Sequence, residues 1–183
     1  GEEIVLLGSA KVINAFDQIT VPANAKRLRL TDDLPSQVGS AWFAKKMDVE
    51  DGFQTFFDLQ MITLSGGAGA DGMSFSVQNT PQGNGGRPVG PAENGFAANA
   101  LNIKFDSYFN GEPEPGAAFV QVRAGETVVA TADLTTFASL MPLPGISSTD
   151  LTMNAGDTPP YQVRVDYVPG DLDVYFNNVL IID

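Results

Sequence analysis

Period-two alternation of apolar and polar side chains is the dominant pattern in this chain. In "FQTFFDLQMIT", Phe53, Thr55, Phe57, Leu59 and Met61 share one face, with Gln54, Asp58 and Gln60 on the other and Phe56 and Ile62 out of step. "YQVRVDYV" sends Tyr161, Val163, Val165 and Tyr167 one way and Gln162, Arg164 and Asp166 the other. "LDVYFNN" repeats the scheme through Leu172, Val174 and Phe176, and "GMSFSVQ" does so through Met73, Phe75 and Val77. Leu101, Ile103 and Phe105 form a further apolar face. Such alternation predicts antiparallel strands with one face in a core and one in water.

Turn residues separate these strands. Pro169-Gly170 suits the central positions of a type II turn, because proline presets φ and glycine accepts φ > 0. Residues 161–176 are therefore expected to form a hairpin. Asn177-Asn178 fits a second tight turn. The one helical candidate is "DLTTFASLM", in which Leu134, Phe137 and Leu140 or Met141 are helix-spaced and Pro142 ends the run. One or two helical turns is its limit. "PQGNGGRPVGPAENGFAAN", residues 81–99, reads as a long surface loop, of the kind that often carries function. No internal repeat is visible. The expected architecture is an all-β antiparallel sandwich of jelly-roll or Greek-key type, residues 1–183 forming one domain.

Composition narrows the chemistry. With 183 residues and 43% hydrophobic content the chain can build a real core. Its net charge of −12 opposes nucleic-acid binding. Neither Cys nor His is present. That removes disulfides, thiolate nucleophiles, Ser-His-Asp triads and histidine-ligated zinc. Carboxylates, lysines and tyrosines remain for acid–base work, and hard oxygen donors remain for a calcium-like metal. No apolar run approaches the roughly 20 residues of a membrane span. Gly1-Glu2 in place of an initiator Met is the expected start of a mature segment whose leader has been removed.

Two stretches hold candidate chemistry. In "SGGAGADGMSFSVQN" a run of small residues ends in one carboxylate, Asp71, directly before a strand. In "LNIKFDSYFNGEPEPG" a strand ends at Asp106, and Asp106, Asn110, Glu112 and Glu114 then crowd together with the Tyr108 backbone carbonyl. Side-chain oxygens, a carbonyl and waters can make a six- to eight-ligand calcium site. A solvated acidic loop explains the same spacing, and both readings stand.

The order "LRLT…GSAWFAKKMDVEDGFQTFFDLQM…GADGMSFSVQ…LNIKFDSYFN…VRVDYVPGDLDVYFN" resembles the L-type (legume-type) lectin family, its bacterial members in particular, from about Leu28 to Asp183. The resemblance implies a concanavalin A-like sandwich that binds carbohydrate, in a secreted or cell-surface protein. It implies that Asp71 accepts hydrogen bonds from sugar hydroxyls, that Ala70-Asp71 is a cis peptide, and that Asn110 bonds both calcium and sugar. Asp106, Tyr108, Asn110 and Glu114 or Glu112 would hold the calcium. A glycine N–H from the long loop should also reach the sugar, with Gly86, Gly90 and Gly95 as candidates. An aromatic ring should pack on its apolar face, with Phe109, Tyr108 and Phe96 as candidates. Trp42 reads as core or sheet surface.

The chain also departs from the family pattern. The positions at which plant members bind a transition metal fall on Lys104 and Phe119, so no transition metal is expected, and Lys104 would offset carboxylate repulsion there. The family's last two strands and the loop that usually completes the sugar pocket have no counterpart before Asp183. An open sheet edge of that kind would invite a homo-oligomer or another chain. The leading reading is a non-enzymatic, carbohydrate-binding module. The alternative is a structural or adhesive module of a larger surface protein. Glycoside hydrolysis needs two carboxylates across a cleft; Asp171 and Asp173 come nearest to that and are better explained as turn acids.

Overall fold

Strands form over each of the alternating runs, and further strands form elsewhere among the described residues. The computed structural model describes residues 3–14, 26–63, 69–86, 92–111, 113–116, 118–137, 153–154 and 160–183. In chain order the strands are β1 (Ile4–Gly8), β2 (Lys11–Asn14), β3 (Lys26–Arg29), β4 (Gly39–Phe43), β5 (Phe53–Leu59), β6 (Ile62–Thr63) and β7 (Gly72–Gln78). There follow β8 (Ala100–Asp106), β9 (Phe119–Ala124), β10 (Thr127–Asp133), β11 (Met153–Asn154), β12 (Tyr161–Val168), β13 (Asp171–Phe176) and β14 (Val179–Ile182). Helical structure among the described residues is confined to 3-10 turns at Gly83–Gly85, Ala92–Asn94 and Leu134–Phe137. The helical candidate is thus a single turn as far as it is described, and its remainder lies outside the described residues.

Two antiparallel four-stranded sheets dominate, ordered β10-β9-β8-β7 and β14-β13-β12-β5. They pack face to face through rings. Phe57 of β5 stacks on Phe75 of β7 at 5.6 Å and meets Phe105 of β8 edge-on at 6.0 Å, while Phe105 faces Phe176 of β13 at 6.4 Å. Ile103, Phe105, Tyr161, Val165, Val174 and Phe176 are wholly buried there. At roughly 1.5–3 kcal/mol for each large apolar side chain, this interface is the main driving force for the fold. Strands β1-β4 and β2-β3 form two further antiparallel pairs, and the short β6-β11 pair is parallel.

Both hairpin turns form as expected. Val168 pairs with Asp171 across Pro169-Gly170, with Gly170 at φ +94°. Phe176 pairs with Val179 across Asn177-Asn178, whose φ values of +49° and +63° match a type I′ turn. Strand β8 departs from the simple half-wet pattern. Its polar face, Asn102, Lys104 and Asp106, is as deeply buried as its apolar one. Loops cover that face, and the candidate site is built there.

Candidate functional site

Gly72 answers why an acid stands at the end of a run of small residues. Gly72 of β7 lies opposite Asp106 of β8, and a Cβ at Gly72 would fall 2.2 Å from the Phe105 carbonyl oxygen. Only glycine lets the two backbones meet so closely. The turn before it is locked to the next segment. Ser107 donates to the Asp71 carbonyl from its N–H at 2.9 Å and from its hydroxyl at 3.0 Å. The Ala70-Asp71 peptide is cis, as the resemblance implied. The Asp71 side chain is exposed beside the acidic loop.

The acidic loop is closely organised. Asp106 is fully buried; its Oδ1 accepts the Tyr108 N–H at 2.8 Å, and its Oδ2 lies 2.6 Å from Lys104 Nζ. Glu114 accepts the Asn110 N–H on Oε2 at 2.7 Å and approaches Lys104 Nζ with Oε1 at 3.4 Å. The Asn110 amide donates to the Tyr108 carbonyl at 3.3 Å. Asp106, Tyr108, Asn110 and Glu114 therefore share one tight loop. Glu112 lies outside the described residues.

A further acid, Glu93, belongs to this cluster and was missed in the sequence. It is 5% exposed, with Oε1 4.0 Å from Lys104 Nζ. Its one signal was being the sole acid of the glycine- and proline-rich loop. Burial pushes the Glu93 carboxyl above the usual range against the pull of a backbone hydrogen bond and of Lys104, and the charges of Asp71 and Asp106 push the same way. Burial likewise raises the Asp106 carboxyl, opposed by Lys104 and by the Tyr108 N–H. Lys104, 4% exposed, is the ammonium these acids share, and it sits 5.1 Å from the Phe119 ring centroid.

The donors suit calcium. They are carboxylate, carbonyl and amide oxygens, the hard ligands that ion takes. Buried Asp106 Oδ2 has no hydrogen-bond partner, only the nearby ammonium. Glu93, Asp106 and Glu114 converge on Lys104, and Asp71 lies close enough to act on Glu93, so the four carboxylates outnumber that ammonium by three when all are ionised. A divalent cation would relieve that surplus.

The glycine-rich loop is pinned from below by Asn102. Its Oδ1 accepts the Phe96 N–H at 3.0 Å and the Ser76 hydroxyl at 2.8 Å, and its Nδ2 donates to the Phe96 carbonyl at 2.9 Å. Three of the candidates for sugar contact are engaged elsewhere in the fold. Phe96 is 7% exposed and packs on Trp42 at 5.4 Å, so it does not face a ligand. Gly86 is buried; its N–H donates to Gly83 at 3.2 Å and its carbonyl accepts Trp42 Nε1–H at 3.1 Å, leaving no donor for a sugar. The Gly95 N–H is likewise engaged by the Ala92 carbonyl at 3.2 Å. Gly90 lies outside the described residues. Phe109 and Tyr108, by contrast, are 46% and 44% exposed.

The acids weighed for hydrolysis lie elsewhere. Asp171 and Asp173 gather with Asp183, their carboxylate oxygens within 4.8 Å of one another, and Asp173 accepts the Tyr175 hydroxyl at 3.0 Å. Asp171 and Asp183 are exposed, as turn and terminal acids commonly are.

Residues 14–179 match the Legume-like lectin family. Solved structures of the VIP36 exoplasmic/lumenal domain share the fold. The Ca2+/Man2-bound form matches with a TM-score of 0.61 at 16% identity, covering 97% of this chain and 65% of that one. The Ca2+/Man3GlcNAc-bound form gives 0.59 at 16% identity over 97% and 68%, and the Ca2+/Man-bound form 0.57 at 17% over 97% and 66%. The chain thus spans about two thirds of the length of those VIP36 chains. No curated protein matches it.

Proposed function

The chain belongs to the legume-like lectin family, and on that premise we propose that it is a non-enzymatic carbohydrate-binding module whose site is formed by Asp71, Asn110 and Phe109. One observation carries this reading. The Gly72–Asp106 register and the paired Ser107 bonds to the Asp71 carbonyl join the Ala-Asp-Gly turn to the acidic loop. Two segments more than 30 residues apart in sequence are thereby tied together at Asp71 and Ser107.

The exposed Asp71 carboxylate accepts hydrogen bonds from sugar hydroxyls, which an ionised acceptor makes strongly. The Asn110 amide donates a further bond, and the Phe109 ring lies against the C–H face of the sugar. Asp106, the Tyr108 carbonyl, Asn110 and Glu114 are the residues that would hold calcium, which when bound supplies a fixed positive charge that steadies this loop. Mannose-containing glycans are the first probes, because the VIP36 structures that share the fold are bound to Man, Man2 and Man3GlcNAc.

A glycan array probed with calcium and with chelator tests the reading. Binding that weakens in chelator supports it. Asp71→Ala and Asn110→Ala should each abolish binding and shift the melting temperature by no more than about 1 °C in calcium-free buffer, since both side chains are exposed. If both variants bind like the parent protein, the assignment is wrong. Silence across the array would favour a structural module, and product release a hydrolase.

A further inference from the structure

Lys104 stands out among the described residues because its ammonium is buried where a charge is costly unless paired. It is 4% exposed, and three carboxylates from three separate segments converge on it. Glu93 comes from the 3-10 turn Ala92–Asn94, Asp106 from the end of β8 and Glu114 from the loop beyond. Asn102 and Asp106 flank Lys104 on the same face of β8, and the Phe119 ring lies 5.1 Å from the ammonium. The side chain is therefore almost entirely shut off from solvent.

We propose that Lys104 is the positioning residue of this site: a fixed internal cation that draws Glu93, Asp106 and Glu114 to one point and sets how tightly a divalent cation is held beside them. The proposal rests on the reading that this loop holds calcium. It assigns Lys104 two opposed effects. The ammonium assembles the three segments when no metal is bound. It also repels a divalent cation that shares Asp106 and Glu114 with it, because like charges this close in a poorly solvated site interact strongly. Glu93 acts in the opposite sense. It neutralises part of the ammonium and so weakens that repulsion.

Calcium titration by calorimetry on the intact protein and two variants, with melting temperatures in chelator and in excess calcium, tests this. Lys104→Met keeps the length and apolar stem while removing the charge. It should bind calcium at least about tenfold more tightly, melt lower than the parent in chelator, and recover more than the parent does when calcium is added. Glu93→Gln should bind calcium several-fold more weakly. Two buried-site substitutions that move affinity in opposite directions cannot both be explained by general damage to the fold. If Lys104→Met does not fold, Glu93→Gln decides, and unchanged or tighter calcium binding in that variant overturns the proposal. If the parent binds calcium and Lys104→Met binds it no more tightly, the proposal falls while the calcium reading stands. If neither the parent nor any variant binds calcium, both fall. A glycan array without binders would bear on the sugar reading alone.

Discussion

Replacing Asn102 with alanine removes three hydrogen bonds at one wholly buried position. Its amide accepts from the Phe96 N–H and the Ser76 hydroxyl and donates to the Phe96 carbonyl, at 3.0, 2.8 and 2.9 Å. At about 1 kcal/mol net for each bond, the bonds alone are worth roughly 3 kcal/mol. The Phe96 N–H and carbonyl left behind in a buried position add about 1–2 kcal/mol more unless water enters to pair with them. The expected loss is about 3–5 kcal/mol by urea unfolding. For a domain of this size that corresponds to a fall of about 10 °C in melting temperature. The effect should also be local. The Phe96 amide, protected in the parent protein, should exchange its hydrogen far faster, and the fluorescence of Trp42, which packs on Phe96 at 5.4 Å, should change. Calcium affinity should fall with it, because Glu93, which offsets the Lys104 charge, rides on the same pinned loop. A loss below about 1 kcal/mol, or an unchanged Phe96 exchange rate, would refute the claim that Asn102 anchors the loop.

Gly72→Ala places a methyl 2.2 Å from the Phe105 carbonyl oxygen, so the β7–β8 backbones must part; unfolding should show a loss of about 2–4 kcal/mol, with glycan binding gone. Phe109→Ala trims a ring that is 46% exposed, so the melting temperature should hold while glycan affinity falls about tenfold, read by titration with the best array hit. Phe176→Ala empties a wholly buried site between the sheets and should lower stability by about 3–5 kcal/mol in the same unfolding assay. Trp42→Phe keeps the ring contact but leaves the Gly86 carbonyl without its donor, an expected loss of about 1 kcal/mol.

The sandwich was legible because period-two alternation reports burial directly. Phe57, Phe75, Phe105 and Phe176 each lie on the apolar face of their run, and those faces meet in the core. The two tight turns were legible for a similarly local reason, since Pro-Gly and Asn-Asn carry their backbone geometry in their own chemistry. Asp71, Asp106, Tyr108 and Asn110 could be named from short motifs whose order along the chain resembles a family.

Alternation says which side of a strand is polar but not what lies over it. Asp106 and Lys104 could be named, but not that they and Asn102 are buried together as the floor of the site, which happens because the segments carrying Glu93 and Glu114 fold across them. Gly86 and Phe96 looked available to a sugar and are engaged with Gly83 and Trp42, contacts made by a strand more than 40 residues away and by a turn of the loop itself. Local sequence determined the strands, the turns and the kinds of donor present. Only the tertiary structure decided which charges share one buried point, because that depends on long-range loop packing, and the energy of a charge is set by neighbours that the chain brings together from far apart.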